Sequence, residues 1–419
     1  MTKRETKIID SAAFQRLREL KQLSHTYLVY PSAVHTRFEH CIGVMHIADR
    51  MCSSVNTPDR KREATRIAGL LHDLGHGPYS HLFEGPLKTI NGDKFDHEVI
   101  TRWLIQDDTE ISDAAGEYRD EALDLLPTSD KRLREYSYLR EVISSGLDAD
   151  KLDYLRRDSY HVGVAYGQFD LERILQTLTI TPGSEHLCVT EKGKDAIENY
   201  RLGRYLLHAQ VYEHHARVVA DDMFLRTLEL ALEDGSVDRD ALKVGSAPNS
   251  FASADHSNFL SYYMSLNDKE IVRKLLESRG QAGEIAKMLQ SRRLLKRAVE
   301  IDLALDIMDA MIKKDIADLE ESDLRQLERE IASAVGCDPS LVIADLREIT
   351  LKLYDPYDIL VKRKSGEIRT IDEFSPISAS ANPILKLYVF GPDGLRSRIR
   401  RATYDRFGLQ QLRPPSTRE

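Results

Sequence analysis

An apolar helical run, Ala68-Gly-Leu-Leu71, delivers His72 and Asp73 side by side and then breaks at Gly77-Pro78, and this arrangement constrains the fold more than any other feature. A helix ending in an adjacent imidazole and carboxylate is packed on one side and open on the other, which suits a bound metal. His72 and His76, four apart, have the spacing of one helical face. His35, His40, His76, His81 and His97 crowd around this run, and an acidic segment, Gly146-Leu-Asp-Ala-Asp150, follows far downstream. Thr36-Arg37-Phe38-Glu39-His40 opens a second helical pattern, and Asp150 belongs to a third. A site built from them requires three remote segments to meet, with His40, His72, Asp73 and Asp150 as the ligands. Mixed imidazole and carboxylate donors suit Mn, Fe, Zn or Ni rather than a thiolate-selected metal or an all-oxygen calcium cage. Such an ion, with open positions, acidifies bound water and polarises a phosphoryl group. Taken singly, each of these residues is as well used in a helix cap or a core hydrogen bond.

The 419 residues, 42% of them hydrophobic, are enough to bury a sizeable core. The expected organisation is mainly α: a multi-helix domain over residues 1–335 with a smaller α+β lobe over 336–419. Helical periodicity marks residues 38–54, 62–75, 94–106, 148–160 and 195–233, and a first helix carrying Phe14, Leu17, Leu20 and Leu23 behind Asp10-Ser11. The acidic stretch 107–124 reads as a solvated loop or short helix, and 234–258 as a long surface connection. Helical spacing returns over 259–336. A small hairpin is expected around Leu187–Thr190, another at 358–370 with a Ser-Gly turn, and a strand from Ile384 to Phe390.

A formal charge of −9 disfavours non-specific attraction to a nucleic-acid backbone. Cys41, Cys52, Cys188 and Cys337 show no Cys-x-x-Cys spacing and fit a reducing, cytoplasmic setting. The N-terminus lacks an apolar leader and no segment is apolar enough to span a bilayer, so no membrane association is expected.

Several longer phrases make the chain resemble the HD-domain phosphohydrolases, and among them the deoxynucleoside triphosphate triphosphohydrolases of the SAM-and-HD-domain type. They are Phe14-Gln-Arg-Leu-Arg-Glu-Leu-Lys-Gln-Leu23, Arg37-Phe-Glu-His40, His72-Asp-Leu-Gly-His-Gly-Pro-Tyr-Ser-His81, Asp150-Lys-Leu-Asp-Tyr154 with Arg157-Asp158, and Tyr212-Glu-His214. The resemblance implies a metal at His40, His72, Asp73 and Asp150, and Mg accompanying the substrate phosphates. It implies that His81 protonates the departing 5′ oxygen, with His97 and His76 nearby; Glu84, three residues on, is spaced to hold the His81 tautomer if the segment is helical. Arg37, Lys151 and Arg204 are implied as phosphate contacts, consistent with a polyphosphate's need for fixed cations. Arg204, His208 and Tyr212 share one face at i, i+4, i+8. Gln22, Tyr154, Asp158 and Tyr212 match positions that hold deoxyribose, the tyrosines crowding its 2′ edge. Asp10, Gln15 and Arg18 match one pocket for an allosteric nucleotide activator, and Asp170 and Arg173 a second. This chain opens almost at the first matching helix and carries no SAM segment, so the implied activator site is less complete, and Asp10 serves equally as a helix cap. The resemblance further implies a homo-oligomer, dimer or tetramer. Two other functions remain open at the level of sequence. One is a nucleotidase or phosphodiesterase acting on another nucleotide or on single-stranded nucleic acid; the other is a nucleotide-sensing regulatory or defence scaffold.

Overall fold

The computed structural model describes residues 1–93, 95–127, 138–183, 186–245, 255–304, 308–349, 359–373, 375 and 384–409. They are mainly helical, with small sheets. Two compact units alternate along the chain. One comprises Met1–His208, Asp238–Lys274 and Lys352–Ser380; the other comprises Ala209–Val237, Leu275–Leu351 and Ala381–Glu419. Each unit therefore draws on both sides of position 335. Strand pairing is the reason. The hairpin Leu360–Lys362 and Ile368–Thr370 joins the strands Leu187–Thr190 and Leu178–Ile180 in the first unit's sheet, whereas Ile384–Gly391 pairs in the second.

In the first unit, α1 (Arg37–Ser54) starts at Thr36, whose backbone N–H donates to Glu39 Oε1 at 2.9 Å in a capping box. Its buried stripe of Cys41, Val44, Met45, Ala48, Met51 and Cys52 packs on α2 (Asp59–Leu71), whose own stripe holds Ile67, Ala68, Leu70 and Leu71. At roughly 1.5–3 kcal/mol for each large apolar side chain buried, this seam fixes the two helices firmly. Helices α3 (His81–Asn91) and α4 (His97–Asp107) follow, and α5 (Ala149–Val162) packs across α1. Gly43 makes that crossing possible, because a methyl there would run into the Asp153 carboxylate and the Arg157 guanidinium. Helix α6 (Lys194–Leu207) completes the set that positions the site.

Two sequence expectations need correction here. The first helix is short: Ala12–Gln15 tightens into a 3-10 turn and the chain extends at Leu20, although Phe14, Leu17 and Leu20 are buried as their spacing implies. Non-local pairing wins over helix propagation, since Arg37 N–H donates to Leu20 O and Gln22 N–H to His35 O, both at 3.0 Å. The acidic stretch takes the expected short-helix form, at Thr109–Ala115 and Arg119–Leu125, with Ile111, Ala115 and Leu123 turned inward. The run 195–233 is broken: α6 ends at Leu207, His208–Tyr212 winds as a π-helix, and α7 (His215–Glu233) begins afresh in the second unit. In the surface connection, residues 246–254 lie outside the described residues, as do Asp358 of the hairpin and Lys94 at the start of the expected 94–106 helix.

The second unit is built on a three-stranded antiparallel sheet with Ile384–Gly391 between Lys296–Asp302 and Ile343–Ile349. Helices α8 (Glu321–Val335) and α9 (Arg396–Arg406) cover it over a core of Val299, Ile301, Ile331, Val335, Leu387, Val389 and Ile399. Lys296–Asp302 falls inside a region the sequence reads as helical. Its alternating Val299 and Ile301 are recruited by pairing with a strand some ninety residues later. No described helix is long and apolar enough to cross a membrane.

Candidate functional site

Helix α2 stops at Leu71, so His72 is its C-cap and Asp73 the first residue of the turn beyond it. Packing of α1 on α2 sets the His40 and His72 rings edge to face with centroids 5.3 Å apart, and α5 brings Asp150 to them. His40 Nε2 lies 3.0 Å from Asp150 Oδ1 and 3.6 Å from Asp73 Oδ2; His72 Nε2 lies 3.3 Å from Asp73 Oδ1 and 3.8 Å from Asp150 Oδ1. The three remote segments therefore do converge.

The tautomers of both rings can be read from their far sides. His72 Nδ1 is 2.9 Å from Gly69 O, which only accepts, so Nδ1 carries the proton and Nε2 presents a lone pair. His40 Nδ1 is held in the same way by Asp153 Oδ2 at 2.9 Å. Both Nε2 atoms are buried with no hydrogen-bond partner among the described residues. Two outward lone pairs facing two carboxylates, each ring braced from behind, fit a divalent cation. The His/Asp cluster thus implies a divalent metal. Burial opposes protonation of His40, but Asp150 and Asp153 outweigh it and hold the imidazole at about 10, so proton and cation compete for this position. Burial also opposes ionisation of Asp73 and Asp150; Arg37 and the histidines nonetheless hold Asp73 well below the ordinary carboxylate range, and His40 and His72 do the same for Asp150.

A second group lies beyond the turn. Glu84 Oε1 is 2.8 Å from His81 Nδ1, 2.8 Å from His97 Nδ1 and 3.7 Å from His76 Nδ1. The His76 and His97 rings stack with centroids 3.7 Å apart. The i, i+3 spacing of His81 and Glu84 is realised because α3 begins at His81. Burial disfavours charge on both partners, yet the His81 and His97 contacts pull the Glu84 carboxyl down, and Glu84 raises His97. Burial, then Arg37 and His97, push the His76 imidazole well down, leaving it neutral.

Between the two groups the backbone is strained, with Tyr79 at φ +55° and Ser80 at φ +60°, a region rarely used by non-glycine residues. Buried Asp268 holds it there, accepting from Tyr79 N–H at 2.8 Å and from Lys21 N–H at 3.0 Å. Arg16 donates to His76 O at 2.8 Å, and Tyr263 O–H to Gly75 O at 2.9 Å. Sequence reading missed Asp153, Asp268, Arg16 and Tyr263. Asp153 and Arg16, each inside a matching phrase, left a trace in the sequence; Asp268 and Tyr263 left none.

The implied substrate residues divide. Arg37, 3% exposed, turns inward to Asp73 and donates to Ser80 Oγ at 2.7 Å, so it braces the metal cluster. Lys151 Nζ donates to Asp148 at 2.7 Å, and Lys151, Tyr154, Tyr200 and Arg204 interact electrostatically as one group. Burial raises the Tyr154 phenol to about 12. Asp158 is buried against His35 Nε2 at 2.8 Å, and Gln22 Oε1 is buried with no hydrogen-bond partner among the described residues. The π-helix interrupts the face expected for Arg204, His208 and Tyr212, and Tyr212 belongs to the second unit. At the implied activator positions, Asp10 is the C-cap of Lys3–Ile9 rather than an N-cap, Gln15 Nε2 donates to Ile9 O at 2.7 Å, and Arg18 Nε donates to Gln15 Oε1 at 2.8 Å. Asp170 caps Leu171–Thr177, and Arg173 Nε donates to Lys192 O at 3.1 Å.

Comparison with known proteins gives consistent matches. The HD domain model matches residues 37–158, and the HD associated region matches residues 169–249 and 246–417. An uncharacterized protein of Methanocaldococcus jannaschii is 39% identical over 242 residues, 57% of this chain and 49% of that protein. The deoxynucleoside triphosphate triphosphohydrolase SAMHD1 of Danio rerio is 33% identical over 252 residues, 51% of this chain and 40% of that protein. The chain thus spans about half the length of the curated relatives it matches. A solved hypothetical protein from Aquifex aeolicus superposes with a TM-score of 0.72 at 27% identity, covering 96% of each chain. A solved phosphohydrolase from Bacteroides thetaiotaomicron also gives 0.72, at 25% identity over 92% of this chain and 94% of that one.

Proposed function

Because the chain belongs to the HD-domain phosphohydrolases that carry an HD-associated region, we propose that it hydrolyses deoxynucleoside triphosphates at the α-phosphorus, releasing deoxynucleoside and inorganic triphosphate. The observation carrying this reading is that Lys151, paired with Asp148, and Tyr154, on the same helix as Asp150, lie within electrostatic reach of Arg204 next to the His/Asp cluster, so that two fixed cations stand beside it. A triphosphate needs fixed cations to spread its charge, and a monophosphate does not.

A divalent ion of the Mn, Fe, Zn or Ni type, held by His40, His72, Asp73 and Asp150, supplies Lewis-acid polarisation and acidifies water when bound. The chain's own residues do the rest. Water oxygen adds to the α-phosphorus, the bond to the 5′ oxygen breaks, and His81 gives that oxygen its proton. Glu84 fixes the His81 ring at Nδ1 and presents Nε2 to the leaving group, with His97 as a second donor on the same carboxylate. Such proton donation is worth roughly 10²–10⁴-fold in rate. Gln22, whose buried side-chain oxygen awaits a donor, and Asp158 bind the sugar hydroxyl, and Tyr154 and His208 complete the sugar and phosphate contacts. Homo-oligomerisation and nucleotide activation belong to the same reading. Mg accompanies the substrate.

The test is product chromatography after incubation with each of the four deoxynucleotides, singly and mixed, in Mn or Mg. Deoxynucleoside and triphosphate are expected. Nucleoside monophosphate with pyrophosphate, or inorganic phosphate alone, overturns the assignment. Activity confined to mixtures would mark an activator.

A further inference from the structure

We infer that His76, His81, His97 and Glu84 form a second divalent-cation site, distinct in its donors from the His40, His72, Asp73 and Asp150 set, and suited to zinc-type ions. Three imidazole Nδ1 atoms, from the first residues of α3 and α4 and from the turn that precedes α3, converge on one carboxylate oxygen, at 2.8, 2.8 and 3.7 Å. A ligand atom from each of the four residues lies within 4.8 Å of the other three. Adjacent ligands of a tetrahedral zinc ion with bonds of about 2.0–2.1 Å stand roughly 3.3 Å apart, so the observed separations bracket the required one.

Hydrogen bonding alone does not account for the group. Glu84 Oε1 takes a ring proton from His81 and another from His97. His76 is 1% exposed and, among the described residues, neither of its ring nitrogens has a hydrogen-bond partner; Nδ1 faces Glu84 at 3.7 Å, while Nε2 stands 3.4 Å from Asp73 Oδ1. Nε2 thus has a long contact to Asp73, whereas Nδ1 faces a carboxylate already taken by two other rings, and a cation among the three Nδ1 atoms gives it a partner. His81, 71% exposed, leaves the group open to solvent. An ion bound there occupies the nitrogens that Glu84 orients in the proposed reaction, so excess zinc inhibits turnover; only this consequence rests on the function proposed above.

The binding itself is tested without turnover. The full chain is stripped with chelator and titrated with Co²⁺ alone, following the visible absorption of the ion and the metal retained after desalting. Two equivalents are expected for the wild type, one for Glu84→Gln and for His97→Asn, and one, of unchanged absorption, for the pair His72→Ala and Asp150→Ala. Circular dichroism shows whether each variant is folded, and either of the first two suffices. A wild type that saturates at one equivalent, or two equivalents persisting in a folded Glu84→Gln or His97→Asn, overturns the site. Neither outcome depends on which nucleotide the enzyme cleaves.

Discussion

Asp153→Ala should weaken metal binding although Asp153 is not a ligand. Its Oδ2 accepts from His40 Nδ1 at 2.9 Å, and the carboxylate also receives Arg157 Nε at 2.7 Å and its terminal amino group at 2.8 Å. His40 is 0% exposed, so no water replaces the lost acceptor, and the ring is free to put its proton on Nε2, the atom that must face the cation. Loss of such an outer partner typically costs 10–100-fold in metal affinity. With no solvent to compensate, the upper half of that range applies, about 30–100-fold, or roughly 2–2.7 kcal/mol. Arg157 is partly exposed, so its release adds little. Asp153→Asn keeps an acceptor but not the charge and should lose about tenfold. Isothermal titration with Mn²⁺ measures each value. An Asp153→Ala protein that binds Mn²⁺ as tightly as the wild type would refute the reasoning that the brace, and not the ligand set alone, fixes His40.

Gly43→Ala should copy this phenotype, because its methyl displaces Asp153 and Arg157; wild-type Mn²⁺ affinity in this variant would contradict the packing argument. Asp268→Ala leaves the buried N–H groups of Tyr79 and Lys21 without acceptors, at about 1–3 kcal/mol each, so thermal unfolding should fall by several degrees while Mn²⁺ affinity is kept. For Glu84 and His97 the pH dependence has a definite sign. The raised His97 contributes stability that is full below about 6.5 and lost as pH climbs through its folded value; the depressed Glu84 contributes above about 4.3 and is lost as pH falls through its own. The melting difference between wild type and Glu84→Gln should therefore peak near pH 5–6 and shrink toward pH 9. A difference that is flat across that range would count against the pair.

The meeting of His40, His72, Asp73 and Asp150 was legible in the sequence because each sits in a phrase of helical pattern, though the helix expected over 62–75 stops at Leu71. His81 and Glu84 were legible because i, i+3 spacing on a helix is a local quantity. What surrounds them was not. Asp268 acts on Tyr79 from 189 residues away and Asp153 on His40 from 113, and no periodicity reports on such contacts. The contact of Arg37 with Asp73, 36 residues on, was likewise not announced by local spacing. The strand Lys296–Asp302 was hidden for the same reason as the interleaved units: its partner lies in another part of the chain. The π-helix at His208–Tyr212 left no compositional mark and broke a face that simple counting made continuous.

Single-turnover hydrolysis of a deoxynucleoside triphosphate in ¹⁸O-water, read by mass spectrometry of both products, tests the central claim most directly. Attack at the α-phosphorus with His81 protonating the 5′ oxygen puts one heavy oxygen in the inorganic triphosphate and none in the deoxynucleoside, and Asp150→Ala should yield neither product. Heavy oxygen in a nucleoside monophosphate or in free phosphate, or labelled triphosphate at the wild-type rate from Asp150→Ala, would contradict it.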